Sequence, residues 1–138
     1  MTLVVDASMI VAALVDDAGP GEWARAELES PDLVSPHLMP AEVTNVLRRL
    51  VALGRLPSQV AATAGSELAL LTVELVPFAP CADRAWALRD NLTTYDAWYV
   101  ALAELHGAPL ATLDHRLVRA DGPRCEFRTY RDDRSPVV

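Results

Sequence analysis

The chain has 138 residues, of which 51% are hydrophobic and 22% are charged; this profile fits a packed globular protein and excludes intrinsic disorder and fibrous repeats. The net charge is −7, and all 12 basic residues are arginine. The longest apolar stretch, residues 9–15, is far shorter than the roughly 20 residues of a membrane span, and no basic residue precedes it as in a signal peptide, so we expect a cytoplasmic protein with no membrane segment.

Strands and helices alternate along the predicted chain. In chain order we expect strand 2–5, helix 7–15, helix 22–29, strand 33–35, helix 40–53, helix 57–71, strand 73–78, helix 82–89, helix 93–106, strand 110–112, a helical turn at 114–119 and strand 126–130. This alternation predicts an α/β fold with a central, mostly parallel sheet covered on both faces. The length suits a single domain over residues 1–138, and the polar segment 131–138 fits a loose tail.

Four acidic residues stand where a predicted strand ends or a predicted helix begins. They are Asp6, Glu42, Asp96 and Asp114. Each has an ordinary structural explanation, because aspartate is a favoured N-cap and an acid in the first helical turn complements the helix dipole. Taken singly, each of these acids is therefore explained by helix capping.

Taken together, the four acids predict a metal site. In an open parallel sheet, such positions gather at the carboxyl edge of the strands, where ligands bind. Four carboxylates in one pocket raise one another's pKa values unless a cation lies among them. Oxygen ligands suit Mg²⁺ or Mn²⁺, and no cysteine or histidine pair has the spacing of a zinc site.

Small polar residues accompany three of these acids. Ser8, Asn45 and Thr112 lie two or three positions from an acid in the sequence. They could orient the carboxylates as a supporting shell, although such residues at helix starts also commonly hydrogen-bond the backbone. Both interpretations stay open at the level of sequence.

Four segments of the chain resemble the signature segments of PIN-domain ribonucleases. They are VVDAS at 4–8, PAEVTNVL at 40–47, TYDAWYVALA at 94–103 and TLD at 112–114. Their order and the chain length are similar to those of VapC toxins from bacterial toxin–antitoxin pairs. The resemblance extends from residue 3 to about residue 130.

The resemblance implies a three-layer α/β/α PIN-like domain with magnesium-dependent endoribonuclease activity. Asp6, Glu42, Asp96 and Asp114 would form the catalytic and metal-binding quartet, with Asp6 and Asp96 as direct ligands. Ser8, Asn45 and Thr112 would support them. The metal, Mg²⁺ or its substitute Mn²⁺, would polarise the scissile phosphate and activate a water for attack.

The resemblance also implies protein partners. A cognate VapB-like antitoxin would block the site with its C-terminal segment, and the acidic pocket would attract an arginine or lysine of that segment. The toxin itself would form a homodimer.

RNA binding must overcome the acidic character of residues 1–115, which carry a net charge of −9, whereas residues 116–138 carry +2. Arginine clusters are the candidate RNA contacts: Arg48 and Arg49 with Arg55, and Arg116 and Arg119 with Arg124 and Arg128. Tyr95, Trp98 and Tyr99 could stack on bases, but we expect at least two of these three to pack in the core or in a dimer.

Other enzyme classes fit the sequence poorly. Phosphoacceptor and aspartate-phosphatase domains use a lysine, which this chain lacks, and a dinucleotide site would need a glycine-rich turn after the first strand. The alternative that stays open is a catalytically silent PIN-fold module that binds another protein.

Overall fold

A computed structural model of the protein describes residues 1–132. Most of the predicted tail, at 133–138, lies outside the described residues. The elements in chain order are β1 (Thr2–Val5), α1 (Ala7–Val15), α2 (Gly19–Glu27), β2 (Asp32–Pro36), α3 (Met39–Ala52), α4 (Ser58–Leu70), β3 (Glu74–Val76), a 3-10 turn (Ala79–Cys81), α5 (Ala82–Ala87), α6 (Thr94–His106), β4 (Leu110–Ala111), α7 (His115–Arg119) and β5 (Phe127–Arg128). No helix within residues 1–132 is long and apolar enough to cross a membrane.

The five strands form one parallel sheet in the order β3-β2-β1-β4-β5. The first strand is central, and Val4 pairs with Val34 on one side and Leu110 on the other. The side chains of Leu3, Val4 and Val5 are fully buried. A strand buried on both faces is expected to be uniformly apolar rather than alternating, as β1 is.

The connections place helices on both faces of the sheet. The chain moves outward from β1 through β2 to β3, then returns across the sheet to β4 and β5. Because connections between parallel strands are right-handed, α1–α4 cover one face and α5–α7 cover the other. The packing agrees, since α1 contacts α2, α3 and α4, whereas α5 contacts α6. The predicted three-layer α/β/α fold is confirmed.

Several element boundaries differ from the predicted ones, two of them at prolines. Helix α2 begins at Gly19 rather than at residue 22, because Pro20 starts the helix instead of ending the previous one. Strand β3 covers only Glu74–Val76, since Pro77 has no N–H to donate to a strand ladder. The predicted last strand at 126–130 is confined to Phe127–Arg128.

Gly21 is required where α2 crosses the end of α1. A Cβ at Gly21 would lie 1.8 Å from the carbonyl oxygen of Asp16 and 2.9 Å from that of Ala12. Both are backbone atoms that cannot rotate away. Gly65 in α4 has no atom within 4 Å of the same position.

We expect Gly21→Ala to lower the free energy of unfolding by about 2–4 kcal/mol, because α1 and α2 must separate to admit the methyl group. The matched change Gly65→Ala should stabilise the protein by about 0.5–1 kcal/mol through helix propensity. Urea denaturation of both variants measures the difference. Equal stabilities would show that the α1–α2 contact is not tight.

Candidate active site

The site lies between β1 and β4, where the direction in which successive strands are added to the sheet reverses. From β1 the chain leaves toward β2, whereas from β4 it continues to β5 on the other side. The loops that follow these neighbouring strands therefore diverge to opposite faces and leave a crevice at the carboxyl edge, the usual ligand site in open parallel sheets. Asp6 follows β1 directly, and Asp114 follows β4 after two intervening residues.

The structure brings all four sequence-predicted acids to the wall of one cavity of about 490 Å³. The remaining wall is mostly apolar and is contributed by α1 and α3, with Val11, Val15, Val46 and Leu50. The cavity therefore combines an acidic floor with an aliphatic flank.

Asp6 is held by three hydrogen bonds at the end of β1. As the N-cap of α1, its carboxylate accepts a hydrogen bond from the backbone N–H of Met9 at 3.2 Å. Ser8 Oγ donates to Oδ1 at 2.5 Å, and Thr112 Oγ1 donates to Oδ2. Burial raises the pKa of Asp6 from 3.8 to about 6, although these hydrogen bonds oppose the rise.

Ser8 and Thr112 connect Asp6 to the loop after β4. The backbone N–H of Leu113 donates to Ser8 Oγ at 3.0 Å, and that of Asp114 donates to Thr112 Oγ1 at 2.9 Å. Each hydroxyl thus donates to Asp6 and accepts from the β4 loop. The two side chains fix the relative positions of Asp6 and Asp114.

Among the described residues, Asp114 is the one acid of the four that forms an ion pair with a basic side chain. As the N-cap of α7, it accepts from the backbone N–H of Arg116 at 2.9 Å and from Arg116 Nη2 at 3.2 Å. Burial alone would raise the pKa of Asp114, but the hydrogen bonds and charge of Arg116 outweigh it and lower the pKa. Asp114 is therefore the most readily ionised member of the quartet.

Glu42 and Asp96 enter the cavity from the first turns of α3 and α6, on opposite faces of the sheet. Thr93 caps α6 by accepting a hydrogen bond from the N–H of Asp96 at 3.2 Å. Burial raises the pKa of both carboxyls; the charge of Asp96 adds to the rise at Glu42, and that of Asp114 adds to the rise at Asp96.

Tyr99 is buried, as expected for at least two of the three aromatic residues of α6, but its contact with the acidic cavity was not predicted. Its side chain lines the cavity, and its hydroxyl donates to Glu42 Oε1 at 2.8 Å. Burial and the charge of Glu42 raise the pKa of Tyr99, so the hydroxyl stays protonated as a donor. An aromatic residue at helical spacing is typical of a core position; the available signal was its place three residues after Asp96, on the same helix face.

Other predicted residues lie outside the cavity. Asn45 is exposed, and its Oδ1 accepts a hydrogen bond from Arg48 Nε at 3.1 Å. Arg49 and Arg119 are exposed as well. Among the described residues Asn45 has no hydrogen bond to the acids, unlike Ser8 and Thr112. The arginines stay predicted RNA contacts.

The donor set suits a hard divalent cation. The four acids supply oxygen ligands only, and the charges of Asp96 and Asp114 raise the pKa of a neighbouring acid, a cost that a cation would relieve. Within residues 1–132 no group of three or more His, Cys, Asp or Glu side chains is arranged so that it could hold a metal ion. Mg²⁺ does not require such a group, because it keeps several waters and is usually held by one or two carboxylates.

The raised pKa of Asp6 predicts how stability depends on pH without metal. Because the folded state holds the Asp6 proton more tightly than the unfolded state, this stabilisation is complete below about pH 4 and is lost as the pH rises through about 6. In EDTA, the free energy of unfolding of the parent should therefore fall relative to that of Asp6→Asn by about 2 kcal/mol between pH 4 and pH 7.5. Urea denaturation across this range measures the two slopes, and parallel slopes would contradict the assignment.

Known proteins resemble this chain over nearly its whole length. Residues 3–123 match the PIN domain. Ribonuclease VapC1 of Mycobacterium tuberculosis is 38% identical over 129 residues, which cover 93% of this chain and 97% of the relative.

Solved structures share the fold. PAE2754 from Pyrobaculum aerophilum superimposes with a TM-score of 0.70 and 23% identity, covering 92% of this chain and 83% of that protein. VapBC2 from Rickettsia felis, solved with a DNA fragment from their promoter, gives a TM-score of 0.66 at 14% identity, covering 94% and 98%. From the matched domain and the identity to VapC1, the chain belongs to the PIN-domain family and, within it, to the VapC ribonucleases.

Proposed function

We propose that the chain is a metal-dependent endoribonuclease, the toxin of a toxin–antitoxin pair, and that it hydrolyses RNA phosphodiester bonds with a metal-activated water. The observation that carries the proposal is the meeting of four carboxylates in one cavity at the switch point of the sheet, in a chain of the VapC ribonuclease family. The same cavity explains why these acids come from four separate segments.

The proposed metal is Mg²⁺, with Mn²⁺ as a substitute. Asp6 and Asp96 would hold it directly, and Glu42 and Asp114 would complete the acidic set. A divalent cation in such a site polarises a phosphodiester and lowers the pKa of water.

The protein contributes positioning and charge. Ser8 and Thr112 hold both carboxylate oxygens of Asp6, so that this side chain cannot rotate away from the cavity. Arg116 keeps Asp114 ionised and leaves its guanidinium exposed, with 82% of the side chain accessible. That guanidinium is the arginine best placed to contact an RNA phosphate beside the acids, and Arg48, Arg49 and Arg119 are proposed as further contacts.

The proposed protein partners are a cognate VapB-like antitoxin and a second copy of this chain, in the cytoplasm. The likeness to VapBC2 of Rickettsia felis supports an antitoxin partner. An arginine fork of such a partner would match the carboxylates of the cavity, which have one basic neighbour among the described residues, Arg116. The catalytically silent module stays the second candidate, because the same cavity could bind another protein without cutting RNA.

Incubation with labelled total RNA tests the activity. In Mg²⁺ or Mn²⁺ we expect discrete cuts that disappear in EDTA and fall at least about 100-fold in Asp6→Asn and Asp96→Asn, because each variant removes a ligand charge. Mapping the fragment ends identifies the cleaved sequence.

Asp90→Asn is the matched control, because Asp90 is exposed and does not line the cavity. It should cut as the parent does. Cuts that persist in EDTA or in both site variants would exclude this site as their source. Intact RNA with the parent, while it still binds an antitoxin, would support the silent module.

Assembly provides a separate test of the partners. Light scattering should give the chain alone a mass of about twice 15.0 kDa, and co-expression with an adjacent antitoxin should yield a complex that no longer cuts RNA. Because a partner's arginine would pair with the cavity acids, Glu42→Ala should weaken this complex and Asp90→Asn should not. A monomeric mass would contradict the proposed homodimer. Equal antitoxin affinities of the Glu42→Ala and Asp90→Asn variants would contradict the proposed contact between the antitoxin and the cavity acids.

A further inference from the structure

The four acids differ in how their carboxylates are held. Asp6 is fixed by the hydroxyls of Ser8 and Thr112, and Asp114 by the backbone and guanidinium of Arg116. The Glu42 carboxylate, in contrast, extends from the first turn of α3 into the cavity, and its hydrogen bond comes from a helix on the opposite face of the sheet. That hydrogen bond is the one from Tyr99.

The place of Tyr99 in α6 makes this hydrogen bond more than a local contact. Tyr99 lies three residues after Asp96, so both side chains leave the same face of the helix. A rigid phenol that holds Glu42 therefore sets the separation between Glu42 and Asp96. Glu42 on one helix layer is therefore hydrogen-bonded to the helix of the other layer that carries Asp96.

The burial of Tyr99 separates the function of its ring from that of its hydroxyl. The residue is 2% exposed, so the ring fills the core whether or not it carries an oxygen. The hydroxyl is directed at a half-buried acid in the cavity wall. Phenylalanine would fill the core equally well. The hydroxyl lies beside both Glu42 and the buried Ser35, and of these two partners Glu42 is the one that lines the cavity.

We propose that Tyr99 is a positioning residue, whose hydroxyl holds the Glu42 carboxylate at a fixed distance from Asp96 in the acidic cavity. The inference rests on the proposed function, since it specifies how one member of the metal-binding quartet is oriented. It gives a role beside the acids to a residue inside the 94–103 segment, for which the sequence predicted only stacking or packing.

Tyr99→Phe tests the proposal by removing only the hydroxyl. The dissociation constant for Mn²⁺, measured by calorimetry without RNA, should rise about tenfold, the usual effect of losing a hydrogen bond to a charged group. In RNA cleavage kcat should fall about tenfold while KM changes less than about twofold, because the arginines proposed to contact RNA are untouched.

Tyr95→Phe is the matched control. Tyr95 is on the same helix, is 60% exposed and does not line the cavity, and phenylalanine keeps the ring with which Tyr95 could stack on a base. Its Mn²⁺ affinity and kcat should stay within about twofold of the parent values. If Tyr99→Phe behaves in the same way as Tyr95→Phe, the proposal is wrong.

A double-mutant cycle with Glu42→Ala distinguishes positioning from packing. Once Glu42 is absent, Tyr99→Phe should change Mn²⁺ affinity less than about twofold, because the hydroxyl has lost its target. A tenfold loss that persists in the Glu42→Ala background would show that the hydroxyl supports the core instead, and would overturn the proposal. Urea denaturation confirms that each variant is folded before titration.

The two readouts also separate this inference from the proposed function. If the parent does not cut RNA but binds Mn²⁺ in a manner coupled to Tyr99 and Glu42, the ribonuclease proposal fails and the positioning role stands. If Mn²⁺ binding is independent of the hydroxyl, the positioning role fails whatever the activity.

Discussion

The hydrogen bonds around Asp6 are the interaction on which the site depends. Its carboxylate joins the ends of β1 and β4, because Thr112, 106 positions later in the chain, donates to it, and Ser8 binds the loop after β4. The same carboxylate caps the start of α1 by accepting a hydrogen bond from the backbone N–H of Met9. One buried acid therefore fixes a helix start, closes the switch point of the sheet and forms the floor of the cavity.

This arrangement concentrates negative charge where the fold would otherwise avoid it. Burial raises the pKa of Asp6, Glu42 and Asp96, which means that the folded protein resists their ionisation, whereas Arg116 favours the ionised form of Asp114. Local rules of stability are commonly broken at functional sites. In the proposed function the quartet is such a place, because the carboxylates that raise one another's pKa are those that would hold a cation.

The sequence was sufficient to predict the alternation of strands and helices, because strand ends and helix starts have strong local signals. It also predicted that the four acids meet, because a parallel topology brings strand ends to one edge of the sheet. Element ends near Pro20 and Pro77 were harder, since a proline can either end one element or begin the next. The cavity position of Tyr99 and the outward position of Asn45 were not predictable for one reason: which side of a helix faces the cavity depends on tertiary packing.

Helix α3 shows how this packing divides a single apolar stripe. The helical spacing of its apolar positions predicts one buried face, and Val43 and Leu47 are indeed in the core. Val46 and Leu50 instead line the acidic cavity. An aliphatic flank excludes water and so strengthens electrostatic interactions at the neighbouring carboxylates. Because the protein carries a net charge of −7, RNA would bind there mainly through a cation and a few arginines, which ties substrate affinity to metal binding in the proposed function.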